Sequence, residues 1–210
     1  MDIKEVLEDP RLELTSQNIT NTMVTQFSDY LELLVKWNQK INLTSEKTAL
    51  EILQRHIFDS LQYARVIFPN EKVVDIGSGG GFPGIPLKII YPELTITLID
   101  SQGKRCSFLE AVILNLGLKG INVVNQRAED IQSEGLVEAV IFRAVSDIQT
   151  CLYLASPFLG EGGKVVLKKN HEEIKDALNP ADGFSLKKKL MVTGFNDKHS
   201  SLMVFEKSQA

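Results

Sequence analysis

The segment Val73-Val74-Asp75-Ile76-Gly77-Ser78-Gly79-Gly80-Gly81-Phe82-Pro83-Gly84 holds the residues of this chain best suited to chemistry. It runs from β-branched residues through a turn of small ones to a helix start. There Pro83 and Pro86 lack N–H groups that the first helical turn leaves unpaired in any case. Glycines in such a turn adopt positive φ and let a ligand approach the backbone. A crevice at the carboxyl end of a first strand is where open α/β sheets bind nucleotides. Two ligands compete for it. Gly79, Gly81 and Gly84 satisfy the G-x-G-x-x-G spacing of a dinucleotide site. Asp75, on the strand directly before the first glycine, argues the other way, because its carboxylate would repel a pyrophosphate brought to the loop. S-adenosylmethionine brings instead an ammonium and a sulfonium, and an acid here helps to hold that cationic end, directly or through water. Asp100, closing the next strand, suits the ribose hydroxyls of either ligand and does not discriminate. The weight falls on the methyl donor, with the dinucleotide as the second reading and a ligand-free glycine turn as the third.

The elements that must position this loop follow from hydrophobic spacing. From Met23 the apolar residues fall at Phe27, Leu31, Leu34 and Ile41, with Tyr30 and Trp37 beside them, which predicts one helix with a buried stripe. Asn42-Leu43-Thr44-Ser45 breaks that pattern, and Thr48-Ala49-Leu50-Glu51 is a capping-box sequence. Leu50, Leu53, Ile57, Leu61 and Ala64 then predict a second amphipathic helix. After Pro69 the texture changes. Val73 to Ile76, Leu94 to Ile99, Ile121 to Val124, Val137 to Phe142 and Lys164 to Leu167 read as strands, with helical segments at Pro83 to Ile90 and Lys104 to Leu116. Strands and helices alternating in this way imply a parallel sheet covered on both faces. Leu186 to Val192 and Leu202 to Glu206 are joined by a loop too short for a crossover helix, so they should pair antiparallel. The expected architecture is α/β: a Rossmann-like, mostly parallel sheet ending in an antiparallel hairpin, the class I S-adenosylmethionine-dependent methyltransferase fold. A helical domain over 1–68 precedes a donor-binding domain over 69–210.

The bulk numbers restrict the setting. The chain has 210 residues, 43% hydrophobic and 24% charged, the composition of an ordinary globular protein. Cys106 and Cys151 fall in helical segments and read as reduced core thiols. No apolar run approaches the roughly 20 residues of a membrane span, and the N-terminal residues lack the order of a secretory signal, so a cytoplasmic location is expected. His171 and His199 have no metal-ligand spacing around them, and no metal site is read. His56 and Asp59 lie three apart on one predicted helix, with core or capping roles set against a place in the site. A net charge of −4 counts against a nucleic-acid partner unless basic residues cluster locally. Lys36, Lys40, Arg55, Lys104, Arg105, Lys168 and Lys169 lie in segments flanking the strand ends and could converge into a phosphate-contacting stripe. Lys187-Lys188-Lys189 reads as a solvated face.

Several segments occur together in order: Lys36-Trp37-Asn38 through Asn42-Leu43-Thr44, Arg55-His56-Ile57-Phe58-Asp59-Ser60, the glycine loop, and Leu98-Ile99-Asp100-Ser101 with Lys104-Arg105. Arg127-Ala128-Glu129 and Arg143-Ala144 follow. Over nearly the whole chain they resemble the bacterial small-subunit (16S) ribosomal RNA guanine-N7 methyltransferase family, also called glucose-inhibited division protein B. The resemblance implies transfer of a methyl from S-adenosylmethionine to N7 of one guanine in that RNA; a monomer is expected, although no residue pattern in the sequence sets the oligomeric state. It places Gly77 and Phe82 against the methionine part of the donor, Ala128 and Glu129 beside the adenine, and Arg143 at the site mouth. With Asp75, Gly79 and Asp100 these complete the expected donor site. Arg55, Lys104, Arg105 and Lys168 are the expected RNA contacts. The loop reads Gly77-Ser78-Gly79-Gly80-Gly81 where the family often carries proline or alanine at the fourth position, a small departure that loosens it.

Guanine N7 is a lone pair without a proton, so no catalytic base is expected, and Arg143 is an orienting residue at most. After the fourth strand the chain has Arg143-Ala144, not the Asn/Asp-Pro-Pro-Tyr/Phe of amino-group methylases, and neither cysteine follows a proline as in carbon-5 methylases. Two other functions stand against this one: a methyltransferase of the same fold acting on a small molecule or protein, and a protein that binds the donor without transferring its methyl.

Overall fold

The computed structural model describes residues 2–14, 18–132, 136–144, 146–170 and 183–208. The chain opens with α1 (Ile3–Leu7) and α2 (Asn21–Ile41). Thr20 caps α2 by accepting a hydrogen bond from the Met23 N–H, and Asn42 ends it in the left-handed conformation. Phe27, Tyr30, Leu31 and Leu34 form the buried stripe expected of α2, and Asn38 is buried with them. The capping box predicted at Thr48 and Glu51 is present and starts α3 (Ala49–Ile52).

The second amphipathic helix differs from its expectation. It is α3, a π turn over Leu53–Ile57 and α4 (Phe58–Leu61), followed by a 3₁₀ turn over Gln62–Arg65. Leu53, Ile57, Leu61 and Ala64 are buried, but Leu50 is 45% exposed. The wider π turn adds one residue to the repeat, so a single 3.6-residue period does not carry through it.

The sheet contains β1 (Lys72–Ile76), β2 (Thr95–Ile99), β3 (Ile121–Val124), β4 (Val137–Arg143), β5 (Leu159–Lys169), β6 (Phe184–Thr193) and β7 (His199–Lys207). Their order is β3-β2-β1-β4-β5-β7-β6, with the first five parallel and β7 antiparallel to both its neighbours. The helices α5 (Gly84–Ile90), α6 (Gly103–Asn115) and α7 (Ile148–Ala155) connect the parallel strands. Alternate residues of β1 and β4 feed two hydrophobic clusters. Val73, Ala139 and Ile141 join the cluster that includes α1, α2, α5 and α6, while Val74, Ile76, Val140 and Phe142 pack with α7. Strands buried on both faces explain why these segments read as continuous apolar runs. Cys106 and Cys151 are buried free thiols. Among the described residues, no helix is long and apolar enough to cross a membrane.

The strand order places the carboxyl end of β1 at the centre, where the direction of winding changes. β2 and β3 extend to one side and β4 and β5 to the other. The glycine loop leaves the sheet there.

Candidate functional site

The loop after β1 is tied down by backbone bonds. The N–H groups of Gly77 and Ser78 donate to the Ile99 carbonyl (2.8 and 3.1 Å), and those of Gly81 and Phe82 donate to the Ser78 carbonyl (2.7 and 3.0 Å). The three glycines of the G-x-G-x-x-G spacing have different surroundings. A Cβ on Gly81 would lie 2.5 Å from Ile85, and one on Gly84 would lie 2.4 Å from Leu98, so both are pressed against the core. A Cβ on Gly79 would meet only the Gly77 carbonyl, at 3.8 Å. Gly79 therefore faces the open side of the loop, with φ +56°.

Two carboxylates brace this turn. Asp75 is fully buried beneath it, and its Oδ2 accepts the Gly84 N–H at 2.9 Å. Its Oδ1 has no partner among the described residues. Burial pushes the Asp75 carboxyl up to about 7, against the lowering pull of the Gly84 N–H, Ser78 and Arg143. Asp100 accepts the Gly79 N–H through Oδ2 (2.9 Å) and the Gln102 N–H through Oδ1 (2.8 Å), with Arg105 Nη1 3.7 Å away. Ala128 is buried in a 3₁₀ turn just beyond β3, and Glu129 beside it is exposed. A buried acid with an unpartnered oxygen, an open glycine edge and a carboxylate at the end of β2 together fit S-adenosylmethionine.

On the β4 side, Arg143 sits at the centre of a polar cluster. Its guanidinium lies 5.2 Å from the Phe82 ring centre, and its Nη2 is 2.5 Å from His56 Nδ1. The His56 ring stacks on Phe82 with centres 4.9 Å apart, and its Nε2 lies 2.5 Å from Glu46 Oε2 and 2.6 Å from Thr44 Oγ1. Glu46 also pairs with Arg55 (2.7 Å). Asn38 bridges the turn by donating to the Glu46 carbonyl (2.8 Å) and accepting the Thr44 N–H (2.9 Å). The Glu46 carboxyl is held down to about 2: hydrogen bonds from Thr44 and His56 outweigh the opposing effect of burial. His56 is shifted down as well, chiefly by burial and then by the Arg143 charge. A cleft of about 700 Å³ opens beside this cluster, lined by Arg55, His56, Asp59, Arg143, Lys168 and Lys198 among others.

A family model described as rRNA small subunit methyltransferase G matches residues 23–203. The chain belongs to this family. The ribosomal RNA small subunit methyltransferase G of Streptococcus pneumoniae (strain ATCC BAA-255 / R6) is 40% identical over 181 residues, which cover 79% of this chain and 76% of that protein. The protein of the same name from Alkaliphilus metalliredigens is 34% identical over 219 residues, covering 99% and 91%. Among solved structures, coclaurine N-methyltransferase bound to N-methylheliamine and SAH aligns with a TM-score of 0.64 at 11% identity, over 98% of this chain and 92% of that one. MtNAS in complex with S-adenosylmethionine aligns at 0.62 and 15%, over 100% and 93%. The fold is that of the class I S-adenosylmethionine-dependent methyltransferases, and the family's methyl donor is S-adenosylmethionine.

For this family member, the remaining expected residues fall into two groups. Arg55 and Lys168 line the cleft with Arg143. Lys168 is mostly covered and paired with Asp59 at 2.7 Å, so Asp59 and His56 both face the cleft. Lys104 and Arg105 lie across the loop at the start of α6, Lys104 exposed and Arg105 turned toward Asp100. Lys169 lines the cleft and donates to the Ser146 carbonyl. Lys36 does not join this group; it lines a separate apolar groove with Leu31, Leu50 and Leu53. Lys187, Lys188 and Lys189 are exposed on β6, the last strand of the sheet, where lysines discourage edge-to-edge pairing. His199 bonds Thr193 (3.1 Å) at the cleft, and His171 lies outside the described residues. Glu46 had no signal of its own in the sequence. Asn38 and Thr44, which fix its turn, were visible only as part of the resembling segment.

Proposed function

We propose that this chain transfers one methyl from S-adenosylmethionine to N7 of a single guanine in small-subunit ribosomal RNA, in the cytoplasm and as a monomer. The observation that carries the reading is Arg143, held over Phe82 where the glycine loop meets a cleft bearing Arg55, Lys168 and Lys198. The donor, when bound, supplies a methyl on a sulfonium sulfur, already activated for in-line displacement. Asp75, Gly77, Gly79, Phe82, Asp100, Ala128 and Glu129 hold it in this proposal. Arg143, which lines the cleft and lies over Phe82, orients donor or base in the same proposal. N7 carries a lone pair and no proton, so no side chain has to remove one. The chain's work is alignment of the acceptor at near-attack distance. A guanine reached through the cleft must leave its stack, since a base inside a duplex is inaccessible to such a site. Phosphates of the flanking nucleotides would meet Arg55 and Lys198 on one side of the loop and Lys104 on the other.

The test is the product. RNA from cells with and without the gene is treated with borohydride and aniline, which cleave at N7-methylguanosine. One cleavage site in small-subunit RNA should disappear with the gene and return with the wild-type chain. Arg143→Ala should restore little of it. A methyl found on an exocyclic amine, a ribose oxygen or a protein would falsify the N7 assignment.

A further inference from the structure

The Glu46–His56–Arg143 chain links the N-terminal helical segment to the mouth of the donor site. Arginine donates and cannot accept, so the contact of 2.5 Å between its Nη2 and His56 Nδ1 requires a lone pair on Nδ1. The imidazole proton must then lie on Nε2, the atom that faces Glu46 Oε2 and Thr44 Oγ1. Glu46 accepts the hydrogen bond from this N–H as an ionised carboxylate, anchored in turn by Arg55 and by the Asn38 bridge. We propose that His56 is a positioning residue, held as the neutral Nε2–H tautomer by Glu46 so that its Nδ1 fixes the Arg143 guanidinium over Phe82.

The stack of His56 on Phe82 fixes the ring plane, and among the described residues the partner of Nδ1 is Arg143. The charged groups facing the imidazole are Glu46 from the turn before α3, Arg55 from its own π turn and Arg143 from β4. Arg55 and Arg143 both oppose a proton on Nδ1, as does burial, while Glu46 favours it. Protonation would set an imidazolium against a guanidinium and release Arg143. Methyl transfer should therefore fall as pH drops through the depressed pKa of His56, with the alignment lost and the donor still bound. This inference rests on the proposed function only for its activity readout; the tautomer can be measured without it.

Nitrogen-15 NMR of the wild-type protein reads the tautomer directly, and with three histidines in the chain the signals are assignable by substitution. The expected result is a neutral His56 ring with the proton on Nε2 at pH 7. An imidazolium or an Nδ1–H tautomer at that pH overturns the proposal. Two variants then test the coupling. In His56→Asn the side-chain oxygen stands near the Nδ1 position and can still accept from Arg143. In His56→Gln the amide reaches Glu46 but offers Arg143 no acceptor. With thermal stability and donor affinity as controls for folding, the asparagine variant should keep kcat within about tenfold of wild type, and the glutamine variant should lose about 100-fold, the scale of a lost oriented group. The asparagine variant should also lose the acid limb of the pH–kcat profile. Equal kcat in the two variants, or an unchanged acid limb, overturns the positioning role. Failure of every variant and the wild type to methylate RNA would instead count against the proposed function.

Discussion

At Gly79 and Gly84 a single added methyl group separates binding from folding. Gly79 has open space where a Cβ would stand, but its φ of +56° is unfavourable for an alanine by about 1–2 kcal/mol. Gly79→Ala should fold with that modest loss and bind S-adenosylmethionine at least tenfold more weakly, as isothermal titration would show. Gly84→Ala places its methyl 2.4 Å from Leu98 and 2.7 Å from the Asp75 carboxylate, so the thermal midpoint itself should collapse. Asp75 adds a pH dependence. Its carboxyl sits at about 7 in the folded chain against an ordinary value of 3.8, so the folded state holds the proton more tightly across that window. Ligand-free stability should then fall as pH rises from about 4 to about 7, by a loss on the order of 4 kcal/mol. Asp75→Asn removes the titration while keeping an acceptor for the Gly84 N–H. Urea denaturation at pH 5 and pH 8 should give the variant nearly equal midpoints and the wild type a lower one at pH 8.

At the level of elements, the π turn between α3 and α4 sets the direction of His56. Its extra residue closes through the bond from the Phe58 N–H to the Leu53 carbonyl. Deleting Gln54 would restore the α period and turn the preceding face by about 100° relative to the following one. The chain should still bind the donor, but methyl transfer should fall about 100-fold, the scale expected when a positioned group is moved. The start of α6 carries a different function. Lys104 is exposed there, whereas Arg105 leans on Asp100, so a charge reversal at Arg105 would disturb the donor site as well as any RNA contact. Lys104→Glu alone should weaken RNA binding and flatten its dependence on salt, with donor affinity unchanged. An unaltered salt slope in a filter-binding titration would return Lys104 to a solvated surface role.

Across the whole molecule, the N-terminal helices and one face of the sheet share a single apolar cluster that runs from Val6 to Val204. Trp37, the only tryptophan, packs edge-on against Phe108 of α6 with ring centres 5.7 Å apart. Tyr30 on α2 donates its hydroxyl to the Gly80 carbonyl of the loop at 2.5 Å, and Tyr63 donates to the Phe142 carbonyl at the same distance. Residues 1–68 and 69–210 are therefore expected to unfold together. Tryptophan fluorescence and far-ultraviolet circular dichroism should report one coincident denaturant transition. Two separated transitions would show that the helical segment is an independent unit.

What could be read from the sequence was local. The alternation of strands and helices, the capping box at Thr48, the buried stripe of α2 and the turn after β1 depend on neighbours a few residues apart, and their periodicity survives in a linear string. The hairpin partners β6 and β7 were legible for the same reason, since a short loop leaves antiparallel pairing as the available geometry. Tertiary structure decided the rest. Gly79, Gly81 and Gly84 are equivalent in a motif, and only packing against Ile85 and Leu98 separates the one that faces outward. Asp75 reads only as an acid ahead of the glycines; folding buries it under the loop, where Oδ2 takes the Gly84 N–H and Oδ1 is left without a partner among the described residues. Glu46, His56, Phe82 and Arg143 come from four separate segments, and no spacing rule links them. Their convergence requires the helical segment to pack over the carboxyl ends of β1 and β4, an outcome of side-chain burial summed over the whole core.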